Sequence, residues 1–268
     1  MRVLLTGAAG KIGRVILAHL ADRHDWILTD RRPVGETRGR PFVQADLADF
    51  DALRALCRQA ECVLHLAAMA DENATWDELW APNIAGVYNL FEAASASGCR
   101  RVVFASSLHA VGAHPPEVQL RTDAPARPRD LYGATKAWGE ALGAFYAHGR
   151  NMSVVCLRLG WVMARDDPRL VPGGPFLDAV LTHEDLIRLV SAALEAPDDL
   201  RFGIFPGVSR NRGRPAIEGT GGAVPGYRPQ DDAFALARRN YAAIGFRWAR
   251  GAGGRLRALL RRAFGRGS

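Results

Sequence analysis

Tyr132-Gly133-Ala134-Thr135-Lys136 sets a phenol and an ammonium four residues apart. At that spacing on a helix, two side chains lie one above the other on the same face. A cation beside a phenol stabilises the phenolate and lowers its pKa, so the pair can pass a proton near neutral pH. The lysine stands out by its rarity: of 35 basic residues, only Lys11 and Lys136 are lysines. Where arginine is the default cation, a lysine here points to a need for a compact, rotatable ammonium. A tyrosine–lysine pair on a solvated helix face is the plainer reading of the same residues, and the rest of the chain must decide between the two.

A second group with chemical meaning opens the chain. Residues 2–6 read as a short buried strand, followed by Gly7-Ala-Ala-Gly10-Lys11-Ile12-Gly13 and a helical period over 14–21. In a strand–turn–helix of this kind the first glycine allows the tight turn. The second lets the backbone approach a pyrophosphate, and the third lets helix pack on strand. The helix N-terminus adds partial positive charge. Asp30 closes the second strand, 26–30, where an acid receives the adenosine ribose hydroxyls and favours NAD. Arg31 beside it could embrace a 2′-phosphate, so NADP stays open.

These residues need elements to position them. A third strand, 42–44, runs into the turn Ala45-Asp46-Leu47, and an amphipathic helix covers 49–60. A fourth strand from 61 ends in Leu66-Ala67-Ala68, small enough for a flat cofactor to lie across. Residues 75–96 form a long helix, 101–106 a fifth strand ending at Ser106-Ser107, 131–148 the helix of Tyr132 and Lys136, and 153–159 a sixth strand. This alternation predicts an α/β, doubly wound parallel sheet, a Rossmann fold. Ligands gather at the carboxyl ends of such strands. The glycine loop, Asp30, Ala67-Ala68, Ser107 and the segment after Leu159 all fall there. Beyond 160 the pattern loosens: a loop over 161–176, a helix over 183–196 capped by Thr182, a last strand over 201–205, a mobile loop over 209–226 and a helix over 231–245. The expected division is a cofactor-binding domain over 1–160, a small substrate-binding portion over 161–248 and a basic tail over 249–268.

Composition narrows the partners. Six of the seven net positive charges lie in residues 249–268, which leaves the body near neutral and argues against a nucleic-acid partner. The tail is either a basic amphipathic helix that touches an anionic surface or a frayed or self-packed end, and the second option is the plainer. Cys57, Cys62, Cys99 and Cys156 have neither metal-ligand spacing nor a disulfide framework, so reduced, buried thiols in a cytoplasm are expected, with no metal. No apolar run approaches the length of a membrane span.

With these motifs in hand, the chain resembles the extended short-chain dehydrogenase/reductases, and within them the NAD-dependent epimerase/dehydratase group. The resemblance implies Gly7, Gly10, Lys11, Ile12 and Gly13 for the pyrophosphate, Asp30 and Arg31 for the adenosine ribose, and Asp46 and Leu47 for the adenine. It implies Leu66, Ala67 and Ala68 flanking the cofactor, Asn83 as a structural asparagine, and Ser106-Ser107 as the serine motif, with Ser107 catalytic beside Tyr132 and Lys136. Homodimerisation through the helices 75–96 and 131–148 is implied as well. Among the group's members the wording is closest to uronate and aldose dehydrogenases, through Val-Phe-Ala-Ser-Ser-Leu-His and Pro-Gly-Tyr-Arg-Pro-Gln-Asp-Asp. Leu108, Trp161 and Ala70 replace an asparagine and two serines of the uronate enzymes, and Arg169 stands nearest to their carboxylate-binding arginine.

The reading that follows is an NAD(P)-dependent oxidoreductase that moves hydride at a carbinol carbon of a small, sugar-like molecule. Tyr132 exchanges the hydroxyl proton, Lys136 lowers its pKa and holds the nicotinamide ribose, and Ser107 orients the substrate oxygen. His109 is either a substrate contact or an ordinary loop histidine. A ketoreductase for a more apolar metabolite, a sugar epimerase and a cofactor-sensing protein without chemistry are the alternatives. Leu108-His109 in place of an acid pair argues against a dehydratase.

Overall fold

The computed structural model describes residues 1–115, 124–212 and 223–242. Seven parallel strands form one sheet. Along the chain come β1 (Arg2–Thr6), α1 (Lys11–Leu20), β2 (Asp25–Asp30), β3 (Phe42–Gln44), α2 (Phe50–Cys57) and β4 (Cys62–His65). Next are α3 (Trp76–Leu79), a π-helical segment Trp80–Ala85, α4 (Gly86–Ala96), β5 (Arg101–Ser107), α5 (Leu131–Gly149) and β6 (Ser153–Leu159). The short strands β7 (Trp161–Met163) and β8 (Val180–Thr182), α6 (His183–Leu194) and β9 (Phe202–Gly207) follow, and residues 233–242 are helical. The sheet order β3-β2-β1-β4-β5-β6-β9 reverses direction between β1 and β4, the place where ligands of such sheets bind.

The strands are apolar on both faces because helices cover both. Val3, Leu5, Leu64, Val103 and Leu157 pack with Ile16 and Leu20 of α1 and Leu186 and Leu189 of α6. Leu4, Val63, Val102, Phe104 and Val154 pack with Leu53, Leu90, Phe91 and Tyr146 of α2, α4 and α5. Alternate residues thus serve opposite layers, as strand geometry dictates. Arg101 is 1% exposed, and its guanidinium caps the end of α6 through the carbonyls of Leu194, Ala196 and Pro197. All four cysteines are buried and free, as expected.

Two expectations are corrected. The helix expected over 75–96 begins at a full capping box on Thr75 but widens into a π segment. Pro82 lies inside it, has no N–H to give and would press on the preceding turn of an α-helix, and the wider winding accommodates it. The loop expected over 161–176 contains β7, which pairs with β8 in a separate two-stranded sheet; three-residue strands are too short to register as a period. Of the mobile loop expected over 209–226, residues 213–222 lie outside the described residues, and both described ends are anchored. Ser209 accepts from Thr182 N, Asn211 bonds Asp178 O, Val180 O and Ala233 N, and Val224 is buried. The basic tail lies outside the described residues.

Candidate active site

The glycine loop is shaped by what cannot be added to it. Gly7 has φ +73°, and a Cβ there would lie 2.7 Å from Ala67 N. A Cβ on Gly13 would collide with the Gly7 carbonyl, and one on Gly10 would lie 3.0 Å from it. The backbone between β1 and α1 therefore stays bare at the positive end of α1, a shape suited to a pyrophosphate. Asp30, at the end of β2, is 8% exposed and accepts from Ala9 N (3.0 Å) and Arg32 N (2.9 Å). Each carboxylate oxygen keeps a further lone pair for a ribose hydroxyl. Arg31 is exposed beside it. Asp46 accepts from Ala48 N, and Leu47 is buried against Gly86, with its carbonyl held by Asn89. These residues fit a dinucleotide laid across the carboxyl ends of β1, β2 and β4.

Asn83 explains why the π segment matters here. Its amide oxygen accepts from Met69 N (2.8 Å) and its nitrogen donates to Met69 O and to Thr135 Oγ1 (3.0 Å). It ties the loop after β4, with Leu66, Ala67, Ala68 and the exposed Ala70, to the first turns of α5. Thr6 Oγ1 pairs with His65 Nδ1 at 2.7 Å and accepts from Ala67 N. Burial holds the His65 ring down at about 3, with Lys136 acting in the same direction, so the ring is neutral and structural.

Ser107, Tyr132 and Lys136 are brought together where β5 ends and α5 begins. Asp130 caps α5 by accepting from Gly133 N (2.7 Å), and its other oxygen pairs with His109 Nδ1 (2.7 Å). Gly133 has no room for a side chain against the His109 carbonyl, which sets Tyr132 close to His109, ring edge to ring face at 5.5 Å. Ser107 accepts from His109 N (3.2 Å) and is hydrogen-bonded to Tyr132. Lys136 donates to Ala105 O (2.8 Å), and its ammonium lies 5.6 Å from the Tyr132 ring centre. The phenol is not lowered as the spacing alone implies. Burial pushes it up to about 12, the Ser107 hydrogen bond pulls it back in part and Asp130 adds to the rise. Burial drives Lys136 down to about 8, with Glu140 opposing. Desolvation works against the charged form of each group, and at this depth it outweighs the pairing.

The remaining candidates have partners of their own. Ser106 does not face the cofactor edge: strand alternation turns it toward α5, where it donates to Glu140 Oε1 (2.6 Å). Glu140 also takes Arg158 Nε and Nη2 at 2.8 and 2.9 Å, a buried ion pair beneath the site. Lys11 donates to Val162 O at 3.1 Å, so its amine bridges the glycine loop to β7. Arg169 gives its Nε and Nη2 to Asp167 (2.9 and 2.8 Å), so that edge of the guanidinium is occupied. Ile12, in the first turn of α1, packs against the core, and Leu108 packs against Ala179 and Val208. Trp161 stacks on Phe176.

The family model for the NAD dependent epimerase/dehydratase family matches residues 3–183. The chain belongs to that family. It is 35% identical over 248 residues to the NAD-dependent glucose-6-phosphate dehydrogenase of Haloferax volcanii, covering 86% of this chain and 93% of the relative. It is 34% identical to the L-arabinose 1-dehydrogenase (NAD(P)(+)) of the same organism, over 92% of this chain and 95% of the relative. The crystal structure of uronate dehydrogenase from Agrobacterium tumefaciens superposes with a TM-score of 0.79 at 33% identity, covering 90% of this chain and 88% of that one. In this epimerase/dehydratase chain, reading the sequence overlooked Asp130, Glu140 and Phe176. An aspartate directly before a helix is a cap signal that could have marked Asp130. Glu140 would have needed the helical spacing from Lys136 and the strand parity of Ser106 to be read together. Phe176 carries no signal in the sequence.

Proposed function

We propose that this chain oxidises the carbinol carbon of a small, ring-closed, sugar-like substrate, with Tyr132 as the proton acceptor. It is an NAD-dependent oxidoreductase. The observation that carries the proposal is the convergence of Ser107, Tyr132 and Lys136 at the strand edge that also holds the glycine loop and Asp30. The substrate class rests on the glucose-6-phosphate, arabinose and uronate dehydrogenases among its relatives. NAD, when bound, supplies the hydride acceptor and a positively charged ring. Gly7, Gly10 and Gly13 would receive its pyrophosphate, Asp30 its ribose hydroxyls, Asp46 and Leu47 its adenine, and Ala67 and Ala68 would flank it.

The chain's own part is to hold the hydroxyl and take its proton. Ser107 Oγ orients the substrate oxygen, and Tyr132 receives the hydroxyl proton as the carbon gives up hydride, so carbonyl, reduced cofactor and one proton balance the reaction. A phenol held near 12 is a strong base once ionised, and positive charge brought against it favours ionisation. Lys136 contributes such a charge while protonated. The oxidation rate therefore rises with pH as the phenol ionises. Tyr132→Phe should lower kcat by about 10²–10⁴-fold while NAD still shifts the melting temperature; turnover at the wild-type rate would refute the assignment.

The same proposal covers the assembly. α3, the π segment, α4 and α5 leave Trp76, Trp80, Tyr88 and Trp138 exposed around an apolar groove of about 650 Å³. A second copy of this chain fits that face, giving a homodimer that light scattering reads directly and that Trp138→Glu should break. No helix among the described residues is long and apolar enough to cross a membrane, and the free cysteines suit a cytoplasmic location. Residues 161–248 are taken as the substrate-binding portion, with no nucleic-acid partner for the near-neutral body.

A further inference from the structure

Two aromatic rings beside the proposed chemistry are not accounted for by it. Trp161 follows Gly160 at the end of β6, and Phe176 precedes the short 3-10 turn Leu177–Ala179. Their rings lie nearly parallel, 14° apart, with centres at 5.0 Å. A buried stack would be ordinary packing, but Trp161 is 40% exposed and Phe176 49%. Phe176 also has φ +63°, a left-handed backbone that bulky side chains adopt only under constraint. The chain bends itself unfavourably in order to stand a phenyl ring against an indole in the open.

Their position is set by the sheet. Leu159 pairs in register with Ser107, so Trp161 begins two residues beyond the level of the serine. Gly160 is pressed between the Ala179 carbonyl and Leu108, where a Cβ would lie 3.3 Å from Leu108 Cδ1. On the other side, Lys11 of the glycine loop holds Val162 O. The stack stands at the same strand edge as the Ser107–Tyr132 pair and the cofactor loop, where a substrate must lie to meet both.

Two of the nearby charges, Arg165 and Arg169, are already held by carboxylates, and the Lys11 ammonium is bonded to the Val162 carbonyl. Arg169 gives its Nε and Nη2 to Asp167, and Arg165 is held by Asp231 (2.8 and 2.9 Å) and lies 3.4 Å from Glu184. An anionic substrate would find the Nε/Nη2 edge of each guanidinium already taken by a bidentate carboxylate.

We propose that Trp161 and Phe176 form an aromatic wall of the substrate site that takes the C–H face of an uncharged sugar ring. The proposal rests on the sugar-oxidation reading above and specifies its substrate. The C–H groups of a sugar ring carry slight positive charge and meet the negative face of an aromatic ring, while an anionic group is repelled by it.

The test measures NAD reduction with L-arabinose and D-galactose as neutral probes and with D-glucuronate and D-glucose 6-phosphate as anionic ones, on wild type, Trp161→Ala, Trp161→Phe and Phe176→Ala. Higher kcat/KM for the neutral sugars is expected. Trp161→Ala should raise their KM by about two- to tenfold, the worth of one aromatic contact, with kcat little changed. Trp161→Phe should recover most of the loss. Preference for the anionic sugars, or an unchanged KM in Trp161→Ala, overturns the wall. Titrating tryptophan fluorescence with the same four sugars separates the two claims. Quenching by neutral sugars that disappears in Trp161→Phe, without NAD reduction, supports the wall and overturns the oxidation reading. Absence of both quenching and turnover overturns both.

Discussion

Lys136 allows the burial of one ammonium to be measured as a slope. A free lysine titrates near 10.5, and burial brings this one to about 8. The native chain thus gives up that proton about 2.5 units below the unfolded chain. Each unit is worth about 1.4 kcal/mol, so keeping the ammonium charged in the fold costs about 3 kcal/mol near neutral pH. Between pH 8 and 10.5 the unfolded chain holds the proton while the native chain does not, so this group makes stability rise with pH across that window. Lys136→Met keeps the length of the stem and removes the titration. Urea unfolding of both proteins at about pH 7 and about pH 10 should show wild type gaining about 2–3 kcal/mol on the variant. Groups that titrate in both proteins cancel in the comparison. Tyr132 acts in the opposite sense, because its folded value is raised, but its loss of stability falls between pH 10 and about 12, above the window. A difference between the two proteins that stays constant with pH would refute the account of Lys136 as a buried charge.

Three further outcomes follow from contacts described above. Glu140→Gln strands the buried Arg158 charge and should cost about 3–5 kcal/mol in denaturant unfolding, with a smaller loss if Arg158 is changed to Met in the same chain. His65 is held neutral down to about 3 against 6.5 in the unfolded chain, so it makes stability fall as pH drops through that range. His65→Gln should flatten acid unfolding by up to about 5 kcal/mol relative to wild type. Gly13→Ala drives a Cβ into the Gly7 carbonyl and should weaken NAD by about 1–3 kcal/mol in calorimetry, with Tyr132 and its neighbours still in place.

The parts of this chain that repeat a regular period were legible without coordinates. Strands such as β5 (Arg101–Ser107) and the glycine loop announce themselves because burial on both faces and a bare turn leave strong composition signals. The serine pair shows where the reading stops. Ser106 and Ser107 look alike in sequence, and only the alternation of β5 sends one to Glu140 and the other to Tyr132. The spacing of Tyr132 and Lys136 was legible, but their depth was not, and depth reverses the expected direction of the phenol. Arg169 looked like a free cation because its partner, Asp167, lies in a loop without periodicity. The pair β7 and β8 joins segments sixteen residues apart by three residues each, a pairing that tertiary packing alone decides.

Lys11 carries one further consequence. It sits directly after the second loop glycine, yet its amine is bonded to the backbone next to Trp161. On the site proposed above, the segment that would receive the nucleotide and the segment that would face the sugar share this bond, so a shift in one is passed to the other. Whatever factor the first ligand adds to or removes from the affinity of the second, the second returns to the first. Such reciprocity would let bound nucleotide ready the site for sugar, and bound sugar ready it for the nucleotide, by the same factor.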